Sequence, residues 1–147
     1  MKKFNFSLEK LLGYRNQVLD REKNLLSQLR RQRQELLDEE DQVAALYRAV
    51  NDKFTLDCAA GMTRQALAAA KQYINVLSDR LRELSAKIEA FDKRVEQQLN
   101  VVVEATKEVS ALDKLKEHQL EEYNRLEQKE QETFVEEFVV AAAFGGK

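Results

Sequence analysis

From Leu67 to Leu112, apolar residues recur at alternating spacings of three and four. One set reads Leu67, Ile74, Leu81, Ile88, Val95, Val102 and Val109; the other reads Ala70, Leu77, Leu84, Phe91, Gln98, Ala105 and Leu112, so thirteen of fourteen positions are apolar. A 3.5-residue period held that long predicts one helix with a narrow seam, as in a coiled coil. Such a stripe cannot enclose a globular core and needs a second helix. An earlier run supplies it: Leu8, Leu12, Arg15, Leu19, Glu22, Leu26, Leu29, Arg33, Leu36, Glu40, Val43, Tyr47, Val50 and Phe54, ten of fourteen apolar. The four polar breaks weaken this seam and can set its register. Phe4, Leu11, Val18 and Leu25 form a parallel row that widens the stripe near the amino end.

The pattern fails between Thr55 and Gln65, where Phe54 and Leu67 stand 13 residues apart instead of 14. Gly61 suits a left-handed helix C-cap, and Thr63 suits the N-cap of the next helix. The predicted fold is all-α, one coiled-coil domain over residues 1–147 in which two long helices form an antiparallel hairpin. Helix 1 covers about 8–58, the turn about 59–63 and helix 2 about 63–140, with a frayed tail at 141–147. Ser7 reads as the first helix's N-cap, with Glu9 in its first turn. A single continuous helix that dimerises is the competing arrangement. At 1.5 Å per residue the helices would be about 75 and 115 Å long. Folded at Gly61, the hairpin puts Glu22 within about a turn of Gln98 and residue 4 near residue 118, leaving helix 2 an overhang of about 20 residues. The seam decays at that place: Lys116, Gln119, Tyr123, Leu126, Glu130, Thr133, Glu137 and Val140 include three apolar residues in eight. Phe134, Val135, Phe138, Val139, Val140 and Phe144 then make an apolar tip. A cluster on an unpaired end reads as a contact site, unless it folds back onto Phe4 and Phe6.

Composition changes this picture little. The chain has no Pro or Trp and only four Gly, and charged residues make up 34% of its 147 residues. The net charge of -2 points to no nucleic acid or acidic partner. Residues 2–33 carry nine Lys/Arg against three Asp/Glu, and residues 113–137 carry four against nine; two solvated helix faces account for both. Cys58 is the one cysteine, which rules out an internal disulfide and is compatible with a reducing compartment. Asn5, Ser7, Glu9 and Lys10 interrupt any signal-peptide core after Met1-Lys2-Lys3, and no stretch approaches the ~20 apolar residues of a membrane span.

Chemistry-bearing constellations are not found. His118 stands alone on a charged stretch, and Cys58 has no second Cys or nearby His to complete a metal site. There is no glycine-rich phosphate loop and no nucleophile elbow. Carboxylates on a rod have no pocket to shift their pKa values. The expectation is no enzyme, no catalytic residue, no cofactor and no metal. Arg30, Arg31 and Arg33 lack the interleaved aromatics of a nucleic-acid surface.

The opening Phe4, Phe6, Leu8, Leu11, Leu12 and Arg15, as F-x-F-x-L-x-x-L-L-x-x-R, resembles the start of the flagellar export protein FliJ family. The late stretch Val135-Glu136-Glu137-Phe138-Val139-Val140-Ala141-Ala142-Ala143 is similar to that family's E-F-x-x-x-A-A. Gln72-Tyr73-Ile74 with Leu77 resembles its Q-[FY]-I-x-x-L. The length and the two-helix plan fit as well. The resemblance implies a cytoplasmic component of the flagellar type III export apparatus, at the cytoplasmic face of the basal body, touching membrane only through partners. It implies a non-enzymatic stalk, similar to the gamma subunit of rotary ATPases. Such a stalk docks on a ring of the export ATPase FliI and promotes its assembly, contacts the export-gate protein FlhA and handles export chaperones.

On this reading Phe4, Phe6, Leu11, Val18, Phe134 and Phe138 are the candidate ATPase-ring contacts. Tyr73 and Leu77 are the candidate export-gate contacts, although Leu77 is a seam residue and Tyr73 flanks it, where an aromatic can simply cover the seam edge. Two alternatives stay open: the equivalent stalk of a virulence secretion system, and a coiled-coil spacer or prefoldin-type holdase without an ATPase partner.

Overall fold

A computed structural model describes residues 2–145. They are all-α: two long helices, α1 (Glu9–Ala60) and α2 (Arg64–Gly145), packed against each other, with no strand among the described residues. Neither run contains a proline to stop it, and residues of high helix propensity dominate both. All twenty-eight seam positions named above are buried or half-buried. The helices form because each offers the other a continuous apolar stripe; local propensity alone would not hold elements this long. The chain divides into two compact units, Glu22–Val102 and Met1–Arg21 with Val103–Lys147.

The Glu22–Val102 unit contains the reversal. Gly61 takes a positive φ of 98°, and its N–H donates to the Cys58 carbonyl at 3.3 Å. Glycine accepts that conformation without the steric cost a Cβ would bring. Thr63 opens α2: its Oγ1 accepts from the Ala66 N–H at 3.1 Å, and its carbonyl accepts from the Leu67 N–H at 2.9 Å. The expected caps are therefore present, and the continuous helix is excluded. From this turn the two segments run antiparallel. Glu39 pairs with Arg80, and Arg33 with Asp92. Gln98 donates to the Glu22 carboxylate at 2.5 Å and to the Glu22 carbonyl at 3.0 Å. Glu22 and Gln98 are thus the neighbours that a pivot at Gly61 requires. Leu26, Leu77, Leu84, Ile88 and Val102 form the apolar core, with Leu84 fully buried.

In the other unit the amino-terminal segment lies antiparallel to residues 103–123. Arg15 pairs with Glu108 at 2.9 Å and Glu9 with Lys116 at 2.8 Å. Phe6, Leu12, Leu19, Ala105 and Val109 are its buried residues. Two local expectations change here. Ser7 is not the cap: the Glu9 N–H donates to the Phe6 carbonyl at 3.1 Å, and the helical ladder opens with the Leu12 N–H on the Leu8 carbonyl at 2.8 Å. Phe4 meets Tyr123, ring centroids 5.5 Å apart, and not residue 118. The cause is that residues 2–6 are not helical. A non-helical chain can cover about 3.4 Å per residue against 1.5 Å in a helix, so a few such residues carry Phe4 about one turn further along α2.

Beyond Tyr123, α2 continues alone. Every residue from 124 to 145 is exposed except the half-buried Glu127. The tail expected to fray from residue 141 is helical through Gly145; Gly146 and Lys147 lie outside the described residues.

Candidate docking surfaces

The solitary stretch of α2 presents a cluster of large apolar side chains in solvent. Phe134 is 68% exposed, Phe138 67% and Phe144 82%, with Val135, Val139 and Val140 also more than half exposed. The tip therefore does not fold back onto Phe4 and Phe6. Those two are engaged elsewhere: Phe6 is 4% exposed, and Phe4 is half-buried against Tyr123, whose hydroxyl donates to the Lys2 carbonyl.

The six candidate ring-contact residues consequently fall into three kinds. Phe134 and Phe138 are open surface. Leu11 is 39% exposed, and Val18 is half-buried on the same row. Phe4 and Phe6 are anchors: Phe4 is half-buried against Tyr123, and Phe6 is buried and offers no surface while it stays so. Phe134 lies eleven positions beyond Tyr123, about 16 Å along the helix axis. The amino-terminal row and the two phenylalanines are thus separate surfaces. Of the candidate gate pair, Tyr73 is 46% exposed with Val76 open beside it, whereas Leu77 is 7% exposed and belongs to the seam. Leu77 thus presents little surface in this arrangement, whereas Tyr73 does.

The Phe4–Tyr123 clasp could not be read from periodicity, because it depends on where a non-helical segment lands. The single available signal was an aromatic at a seam position, Tyr123, just before the seam fails.

The electrostatics are those of exposed helix surfaces. Arg80 spans both helices, donating to Glu39 on α1 and at 3.0 Å to Glu83 on its own helix. Those two hydrogen bonds raise the Arg80 pKa above its already high ordinary value. Glu83 is lowered, first by the hydrogen bond from Arg80 and then by the charge of Lys87. These ion pairs are solvated and contribute little to stability; only Arg80–Glu39 joins the two helices and bears on their register.

No geometry for catalysis appears among the described residues. Depressions along residues 118–137, such as that between His118, Glu121, Glu122 and Arg125, are grooves between neighbouring side chains of one helix. No group of three or more His, Cys, Asp or Glu is placed to hold a metal among the described residues. The exposed Cys58 thiol faces the Met62 sulfur at 3.8 Å. Among the described residues no helix is long and apolar enough to cross a membrane.

The architecture is thus two paired helices, one of which continues past its partner with an exposed apolar end. The family model described as Flagellar FliJ protein matches residues 4–146, and the chain belongs to that family of flagellar export and type III secretion components. The fold is also that of a solved structure from Chlamydia trachomatis described as a YscO homolog. The TM-score is 0.58 at 20% identity, covering 98% of this chain and 94% of that one. No curated protein matches the chain.

Proposed function

We propose that this chain is the non-enzymatic stalk of a flagellar type III export apparatus. It docks on a ring of the export ATPase FliI, promotes assembly of that ring and couples it to the export gate. The observation that carries the reading is the solitary arm of α2: twenty-two helical residues beyond the last inter-helix clasp, ending in three exposed phenylalanines. A helix held out from its partner with large apolar side chains in water is stable in the cell only when something covers it. The arm and the row containing Leu11 and Val18 are the ring-facing surfaces, and Tyr73 is the gate-facing residue, toward FlhA. Export chaperones are further partners. No nucleic acid, metal or cofactor enters, and the site of action is the cytoplasmic face of the basal body.

Truncation after Leu126 tests this. It spares Tyr123 and every inter-helix contact described above. Binding to the cognate export ATPase should fall below detection in a pull-down while circular dichroism shows the remaining residues still helical. Undiminished binding would overturn the assignment. A virulence-system stalk is the second reading, supported by the shared fold with a YscO homolog. Capture of a virulence ATPase in place of the flagellar one would favour it. Binding of unfolded clients that ignores either ATPase would favour a holdase.

A further inference from the structure

The arm of α2 is more than an apolar end, because its charges are ordered around it. At about 100° per residue, Phe134, Phe138, Val135 and Val139 fall within one arc about 140° wide. Glu137 lies beyond one edge of that arc, and Glu132 and Glu136 lie beyond the other. Glu136 and Glu137 are exposed, and their carboxylates form no hydrogen bond or ion pair with any described residue. Residues 124–145 carry five Glu against one Arg and one Lys. Over residues 132–139 the stripe is therefore apolar along its centre with glutamate beyond each edge, while Val140 and Phe144 fall outside the arc on the Glu137 side and Arg125 and Lys129 stand nearer α2's paired part on the other.

We infer that the arm seats in an apolar groove whose two rims carry Lys and Arg. The inference rests on the ATPase reading above and specifies the receiving surface. Charge complementarity separates this occupant from the others. A second copy docking arm to arm would bring five glutamates against five. An anionic lipid surface recruits amphipathic helices with basic polar faces, the reverse of this one. A basic-rimmed groove covers the phenylalanines and neutralises the margins together. Opposite rim charges act chiefly on encounter, so the association rate should depend on salt.

The test uses the full chain against the cognate export ATPase, with association rates measured at 50 and 300 mM salt. The variants are the triple reversal Glu132→Lys, Glu136→Lys, Glu137→Lys and the pair Phe134→Ala, Phe138→Ala. Neither should alter the melting temperature measurably, because these side chains touch nothing on α1. The reversal should slow association about tenfold at low salt and invert the salt dependence, because like charges then meet at the rims. The alanine pair should accelerate dissociation and leave that dependence in place. Photo-crosslinking from benzoylphenylalanine at Val139 should map to an ATPase segment flanked by Lys and Arg.

Unchanged rates in the reversal, or crosslinks to an uncharged or acidic segment, overturn the groove and leave the ATPase reading standing. Failure of the unmodified chain to bind the ATPase overturns both. Binding of the unmodified chain to phosphatidylglycerol vesicles overturns the groove in favour of lipid.

Discussion

Glu40 is the one polar break in the α1 seam that α2 does not answer. Arg15 has Glu108, Glu22 has Gln98 and Arg33 has Asp92. Glu40 is half-buried with no hydrogen bond or ion pair to any described residue. Substituting Glu40→Leu should therefore stabilise the fold by about 1 kcal/mol, read from the urea midpoint, because it swaps a partly desolvated carboxylate for apolar contact. The Glu22–Gln98 pair should behave oppositely. A double-mutant cycle with Glu22→Ala and Gln98→Ala should return a coupling of about 1 kcal/mol, and a value near zero would show that the hydrogen bond does not hold the register. Glu83 gives the pH dependence. Its pKa is lowered from the ordinary 4.5 by Arg80 and then Lys87. The unfolded chain binds that proton first as pH falls, so the contribution is full above the ordinary value and disappears below the lowered one. The melting-temperature difference between wild type and Glu83→Gln should be constant from pH 7 to 6 and shrink toward pH 3. Arg80 stays charged throughout that window.

At the scale of elements, the turn at residues 61–63 is held by two residues with separable roles. Gly61→Ala places a Cβ on a backbone with φ of 98°, at a cost of about 1 kcal/mol. Thr63→Ala removes the side-chain acceptor of the Ala66 N–H and should cost about 1 kcal/mol more. Thermal melts of the two single variants and the double check both figures. These roles were legible because glycine and threonine sit where the 3.5-residue pattern breaks. The start of α1 was not: Ser7 has the chemistry of a cap, but the backbone turns through Phe6 and Glu9 instead. Phe6 misled for a related reason. At a chain end an aromatic looks like a free contact, yet burial of a whole ring outweighs the cost of ordering a few terminal residues.

At the scale of the molecule, the candidate docking residues divide by what the partner helix covers. Tyr73 remains in solvent, so Tyr73→Ala should leave the melting temperature within a degree or two and reduce flagellar export. Loss of stability with it would make the tyrosine a packing residue. Leu77→Ala, one turn on but in the seam, should destabilise by about 2–5 kcal/mol, and export would then fail for a different reason. The sequence resemblance named the right family, and it located Tyr73, Phe134 and Phe138 on surfaces that the fold leaves open. It could not separate them from Phe6 and Leu77, because a family motif records which residues recur and not which of them are buried.

The sequence by itself determined that two helices exist, where the chain reverses and where the second helix loses its partner. Each of those follows from a one-dimensional period and its interruption. Only the tertiary structure decided which acid answers each arginine, that Phe4 lands on Tyr123, and that Phe6 is covered. Those outcomes depend on the axial register between two helices and on how far a few non-helical residues at the amino end reach along α2, neither of which the pattern of apolar positions records.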